Sequence, residues 1–183
     1  DYVGGQDFFG DASTLVREFD LNDITLLSPG VPTPRFDIPK SLLRALDIFM
    51  IGATYKRTKD VDQNCAFLCH VSLRKNDHDH IVNLLRSYKT QLAAGLKAQD
   101  RKTIERLKAA YDDLSTTHEG LKAHSFDDLL SAIQFLSPGI TVKLVNGETD
   151  EDVSVRSPYN LFVGGNKLGR GVTIKNLLVS YYG

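Results

Sequence analysis

The chain has 183 residues, 42% of them hydrophobic and 25% charged, with a formal net charge of −1. That balance suits one globular domain, alone or with an added lobe, and excludes a chain-wide field aimed at nucleic acid or membrane. No apolar run reaches the roughly 20 residues of a spanning helix, and no signal-peptide pattern opens the chain, so membrane partners are not expected.

In chain order, "DYVGGQDFFGDAS" reads as a Gly-rich, aromatic loop. "LSPGVPTPRFDIPKS" holds Pro29, Pro32, Pro34 and Pro39 and reads as an extended connection. From Pro39 the spacing of Leu42, Leu43, Leu46, Phe49, Met50 and Ala53 predicts a helix, with Lys56 and Arg57 suiting its negative end. "CAFLCHVS" (65–72) is a nearly unbroken apolar run, as in a strand covered on both faces. Its two cysteines, Cys65 and Cys69, share a face but lie too far apart along a strand to bond; they read as reduced core thiols of a cytoplasmic protein.

Asn76 or Asp77 is expected to cap the next helix, whose stripe is Ile81, Leu84, Leu85, Tyr88, Leu92 and Leu96. "AQDRKTIERLKAAYDDLSTTHEG" follows as a highly charged helix. "SFDDLLSAIQFLSPG" is another, with Ser125 as N-cap and Pro138-Gly139 as its stop. "ITVKLVNGETDEDVSV" is a strand running into an Asn-Gly turn and an acidic loop, and "NLFVGG" and "LLVSYY" are further short strands. The expected class is α/β: residues 1–60 a lead-in loop and helix, residues 61–183 a mainly parallel sheet with helical cover.

The segment "FVGGNKLGRGVTI" concentrates the chemistry. Ligands of open parallel sheets gather beyond the carboxyl ends of the strands. Gly164 and Gly165 stand where "LFV" ends and permit close backbone approach. Arg170, between Gly169 and Gly171, is a planar guanidinium with little side chain around it, suited to bidentate phosphate binding. Thr173 adds a hydroxyl, and Lys167 and Lys175 add local charge. A surface hairpin with solubilising lysines explains the same spacing.

"VGGNKLGRGVTIKNLLVSYY" resembles the signature of the Z-one domain family, also labelled an endonuclease domain, whose form is close to I-G-G-N-x-L-S-R-G-L-T-L-E-G-L-x-V-S-Y-F. "YVGGQDFFG", "IPKSLLRALDIFMIGATYKR" and "AFLCHVS" resemble its upstream motifs in the same order. Gly169 stands for the family's serine, Lys175-Asn176 for Glu-Gly, and Gln6 for an acid. The family accompanies helicase-type ATPase cores of superfamily two, near bacterial defence and restriction genes. The resemblance therefore implies a partial RecA-like second motor lobe, truncated at its C-terminal end, in which Arg170, Gly171 and Thr173 couple backbone phosphate contact to nucleotide state. Ser72 would end near the bound strand's phosphates. Nucleic acid, expected to be DNA, and the remaining motor lobe are the implied partners.

The sequence has no G-x-x-x-x-G-K-S/T phosphate loop, no strand-borne D-E motif for magnesium, and no arginine-finger segment after Tyr182. ATP and magnesium would thus be bound mainly by parent segments absent from this chain, which reads as inactive alone. Two other readings stand beside this one. Glu148, Asp150, Glu151 and Asp152 could hold magnesium in an endonuclease, against the plainer reading of a solvated acidic turn. The chain could also be a non-catalytic module docked on a partner ATPase. "KNDHDHIV" with His70 offers metal-ligand types, but His78 and His80 on a helix point about 200° apart. The cations Arg86, Lys89, Lys97, Arg101, Lys102, Arg106 and Lys108 are interspersed with acids, as on a solvated helical face. Tyr2, Phe8 and Phe9 could stack on bases or pack on a neighbouring lobe.

Overall fold

The computed structural model describes residues 13–27, 37–70, 75–145, 153–164 and 173–182. A short helix, α1 (Leu21–Leu27), comes first; periodicity over one and a half turns is too short to announce it. The Asp20 carboxylate opens it by accepting the Asn22 N–H at 2.9 Å, and Leu27 at its end is fully buried. The expected helix after Pro39 is α2 (Lys40–Lys59). Pro39, at φ −53°, is already helical in φ, and its carbonyl accepts the Leu43 N–H at 2.9 Å.

Strand β1 (Cys65–His70) leads to α3 (Lys75–Lys97), α4 (Arg101–Thr117) and α5 (Phe126–Leu136). The stripe Ile81, Leu84, Leu85, Tyr88, Leu92 and Leu96 is buried as expected. Asn76 and Asp77 are not the caps of α3, because that helix already begins at Lys75. Asp77 instead sits in the first turn, where its charge still faces the positive end of the helix. The highly charged helix starts at Arg101 rather than Ala98. Gln99 takes a left-handed φ of 54°, and the Asp100 carboxylate caps by accepting the Thr103 N–H at 2.9 Å. Arg86 and Lys108 therefore lie on separate helices, not one continuous face. Ser125 caps α5 as expected, accepting the Asp128 N–H at 3.1 Å.

The turn between α3 and α4 depends on Gly95. A Cβ there would collide with Thr103 Oγ1 and lie 3.0 Å from Thr103 Cβ. Thr103 cannot swing away, because its Oγ1 donates to the capping Asp100 at 2.8 Å. Gly95→Ala is expected to lower stability by about 1–3 kcal/mol through overpacking. Adding Thr103→Ala should recover part of the loss in urea denaturation; an additive penalty would refute the contact as its cause.

Strands β2 (Thr141–Val145), β3 (Tyr159–Gly164) and β4 (Leu177–Tyr182) complete a four-stranded, all-parallel sheet in the order β2-β3-β1-β4. The chain is thus an α/β fold with a helical lead-in, and β1 and β3 are the central, buried strands. Alternation sorts β1 onto two faces. Cys65, Phe67 and Cys69 join Leu161, Val163 and Tyr181 in the main core beneath the helices. Ala66 and Leu68 join Phe162, Val145 and Val153 on the other face, where Val155 and Ile174 pack. Phe49 of α2 ties the lead-in helix to this sheet, with ring centroids 5.7 Å from Phe67 and 6.3 Å from Tyr159. Both cysteines are free and buried, and burial pushes both thiols up, away from the reactive thiolate.

Candidate nucleic-acid interface

All four strands are parallel, so their carboxyl ends form one edge: Val145, Gly164, His70 and Tyr182. Two of these residues are joined directly. His70 Nδ1 lies 2.7 Å from the Gly164 carbonyl oxygen. A carbonyl oxygen only accepts, so Nδ1 carries the proton. His70 also packs edge-on against Tyr182, with ring centroids 5.2 Å apart, and Tyr182 is 59% exposed. The three ends of β3, β1 and β4 are thereby held as one rim.

Gly164, the last residue of β3, is buried within this rim. Gly165, Arg170 and Gly171 follow it in the chain, and Ser72 follows His70; these four lie outside the described residues. So do Glu148, Asp150, Glu151 and Asp152, and the opening aromatics Tyr2, Phe8 and Phe9.

Thr173 is placed elsewhere. It lines a cleft of about 580 Å³ with Val153, Val155, Arg156, Lys175 and Asn176, on the face opposite the helices. Asn176 holds this cleft to the amino end of β1: its carbonyl accepts the Ala66 N–H at 3.0 Å, and its amide donates to the Asn64 carbonyl at 2.8 Å. The separation has a simple cause. Parallel strands oblige the chain that leaves the carboxyl end of β3 to return to the amino end of β4. A six-residue strand is about 20 Å long, so Gly164 and Thr173 mark two ends of one crossing. Arg156, exposed at the cleft, was not singled out by any motif.

Four of the candidate cations have structural employment. Arg106 donates to Asp47 at 2.8 Å, Arg101 to Glu105 at 2.6 Å, and Lys108 pairs with Asp112. Lys89 donates to the Ile140 carbonyl at 2.8 Å. These contacts fit the solvated, structural reading of the charged helices. Asp77 and His78 are buried, and His80 Nε2 donates to the Leu26 carbonyl at 3.1 Å. Among the described residues, no three His, Cys, Asp or Glu side chains converge in a way that could hold a metal ion. No helix among them is long and apolar enough to cross a membrane.

Comparison with known proteins adds one match. The family model of the Z1 (Z-one) domain matches residues 41–183. Nothing matches among curated proteins or among solved structures.

Proposed function

The chain belongs to the Z1 domain family, and on that premise we propose that it forms the nucleic-acid-contacting part of a RecA-like second lobe in an ATP-driven, DNA-acting motor of bacterial defence or restriction. The observation that carries this reading is the rim of an all-parallel sheet, where His70 of β1 bonds the Gly164 carbonyl of β3. Ligands of such sheets bind beyond the strands' carboxyl ends. The segments that continue from His70 and Gly164 carry Ser72 and the run Gly165–Gly171, with Arg170 at its centre.

In this reading Arg170 grips a backbone phosphate through two parallel N–H donors, and Gly164, Gly165 and Gly171 let the backbone approach it. The same stretch of chain enters at the rim and re-emerges at Thr173, beside the cleft of Arg156 and Lys175. In this reading Thr173, three residues beyond Arg170 in the chain, takes the coupling role. The sequence carries no G-x-x-x-x-G-K-S/T phosphate loop. The proposal therefore assigns ATP and magnesium binding to the rest of the motor, its expected partner, and takes no step through them here.

The test is Arg170→Ala. Binding to single-stranded and duplex DNA is expected to weaken about tenfold near 100 mM salt, and the dependence of log affinity on log salt should flatten by about one unit. Where the protein also carries a motor core, its DNA-stimulated ATPase should fall in parallel. Unchanged affinity and salt slope would discard the role of Arg170 and, with it, this reading of the rim.

A further inference from the structure

We propose that the cleft between residues 153–156 and 173–176 is a phosphate-binding site in its own right, in which Arg156 and Lys175 clasp the phosphate group of a nucleotide, free or within a strand. The site stands at the amino end of β1, away from the rim, and does not depend on the reading of the rim. Arg156, Thr173 and Lys175 are all exposed where they line this cleft of about 580 Å³. Arg17, Arg44, Arg101 and Arg106 each face a carboxylate. Among the described residues, neither the Arg156 guanidinium nor the Lys175 ammonium has an ion-pair or hydrogen-bond partner.

The two walls of the cleft are fastened to each other through Asn64, the residue before β1. Its Nδ2 donates to the Val155 carbonyl at 3.3 Å, and its own carbonyl accepts Asn176 Nδ2 at 2.8 Å. Asn64 is fixed in turn by Arg57, whose Nη1 donates to the Gln63 carbonyl at 2.8 Å and to Asn64 Oδ1 at 3.3 Å. Asn176 takes a left-handed φ of 54° directly after Lys175, so the second wall turns sharply into β4. Lys143 Nζ donates to the Ser154 carbonyl and hydroxyl at 3.4 Å each, which pins the first wall and brings a third positive charge close. None of the described lining residues is acidic. Solubilising surface cations need no such fastening. A phosphate accepts parallel N–H donors from a guanidinium on two of its oxygens and a point charge from an ammonium on a third, and the Thr173 hydroxyl stands by as a further donor. Val153 and Val155 give the cleft an apolar side, and its volume falls within the roughly 300–1,000 Å³ of small-molecule sites, leaving room beside the phosphate for the rest of a nucleotide.

The experiment titrates the native chain, followed by 1H–15N NMR, with inorganic phosphate, with adenosine monophosphate and with a short single-stranded oligonucleotide, at ionic strength held constant with sodium chloride. The backbone amides of residues 154–156 and 173–176 are expected to shift and saturate. Arg156→Gln and Lys175→Gln should each weaken that binding about tenfold. Both side chains are exposed, so the variants should keep the native urea midpoint. Saturation by adenosine monophosphate but not by the oligonucleotide supports the site and assigns a free nucleotide. Saturation by the oligonucleotide alone supports it and assigns a strand, and Arg156→Gln should then flatten the dependence of log affinity on log salt by about one unit. Shifts that never saturate, shifts reproduced by sodium chloride alone, or an affinity unchanged in Arg156→Gln overturn the proposal. Failure here leaves the rim and its Arg170→Ala test standing, and failure of the rim leaves this cleft to be judged by its own titration.

Discussion

Asp47→Ala is expected to cost the fold about 3–5 kcal/mol, the range for removing one partner of a buried charged pair. Asp47 lies on α2 with 1% of its surface exposed. Its carboxylate accepts from Tyr88 Oη of α3 at 2.9 Å and from Arg106 Nε of α4 at 2.8 Å, so one side chain joins three helices. Alanine leaves the fully buried Tyr88 hydroxyl without an acceptor and the Arg106 guanidinium without its counter-charge. Asp47→Asn should cost less, because an amide oxygen still accepts from Tyr88. Burial raises the Asp47 pKa; the Arg106 guanidinium and the Tyr88 hydroxyl oppose the shift without cancelling it. A raised folded-state pKa contributes stability that is full below the unfolded value and declines as pH rises through the folded one. The stability of the native chain should therefore fall, relative to Asp47→Asn, as pH rises through that elevated range. Urea denaturation at several pH values measures both effects, and a loss below about 1 kcal/mol for Asp47→Ala would show the junction to be solvated.

Phe49→Ala carries the second large effect, about 3–5 kcal/mol for emptying a buried aromatic site. The Phe49 ring is fully buried and meets Phe67 of the central strand and Tyr159 of β3 edge-on. Tyr159 is also held by Thr54 of α2 at 2.7 Å, so the same helix contacts β3 twice. Truncation should lower the urea midpoint while leaving one transition, since helix and sheet share a single apolar cluster. If the sheet kept its native midpoint while α2 alone melted, the packing of the lead-in helix on the strands would be shown to be weak.

Particular residues show how much could be read before folding. The eight helix and strand segments from the Leu42–Ala53 stripe to "LLVSYY" carry their structure in local pattern, because burial on one or both faces must repeat at the period of the element. The nearly unbroken apolar run "CAFLCHVS" and the short apolar "NLFVGG" pointed to strands covered on both faces of a mainly parallel sheet, and the pairing places β1 and β3 at its centre. Helix α1 and the break at Gln99-Asp100 were not legible: the first is too short for a period, and the second hangs on one left-handed backbone angle and one capping carboxylate. Residues 41–183 belong to a family whose signature was visible in the glycine-arginine run.

The sequence by itself determined the longer elements, their class, the family and the chemical types offered for an anion, because each rests on residues close together in the chain. Only the tertiary structure decided which of those residues meet. Gly164 and Thr173 are near in sequence, yet the return crossing imposed by parallel strands groups them with different neighbours. His70 and Gly164 are 94 residues apart, yet strand pairing sets them within one hydrogen bond. A ring nitrogen's proton is assigned by the partner it finds in space, and no local pattern of residues carries that information.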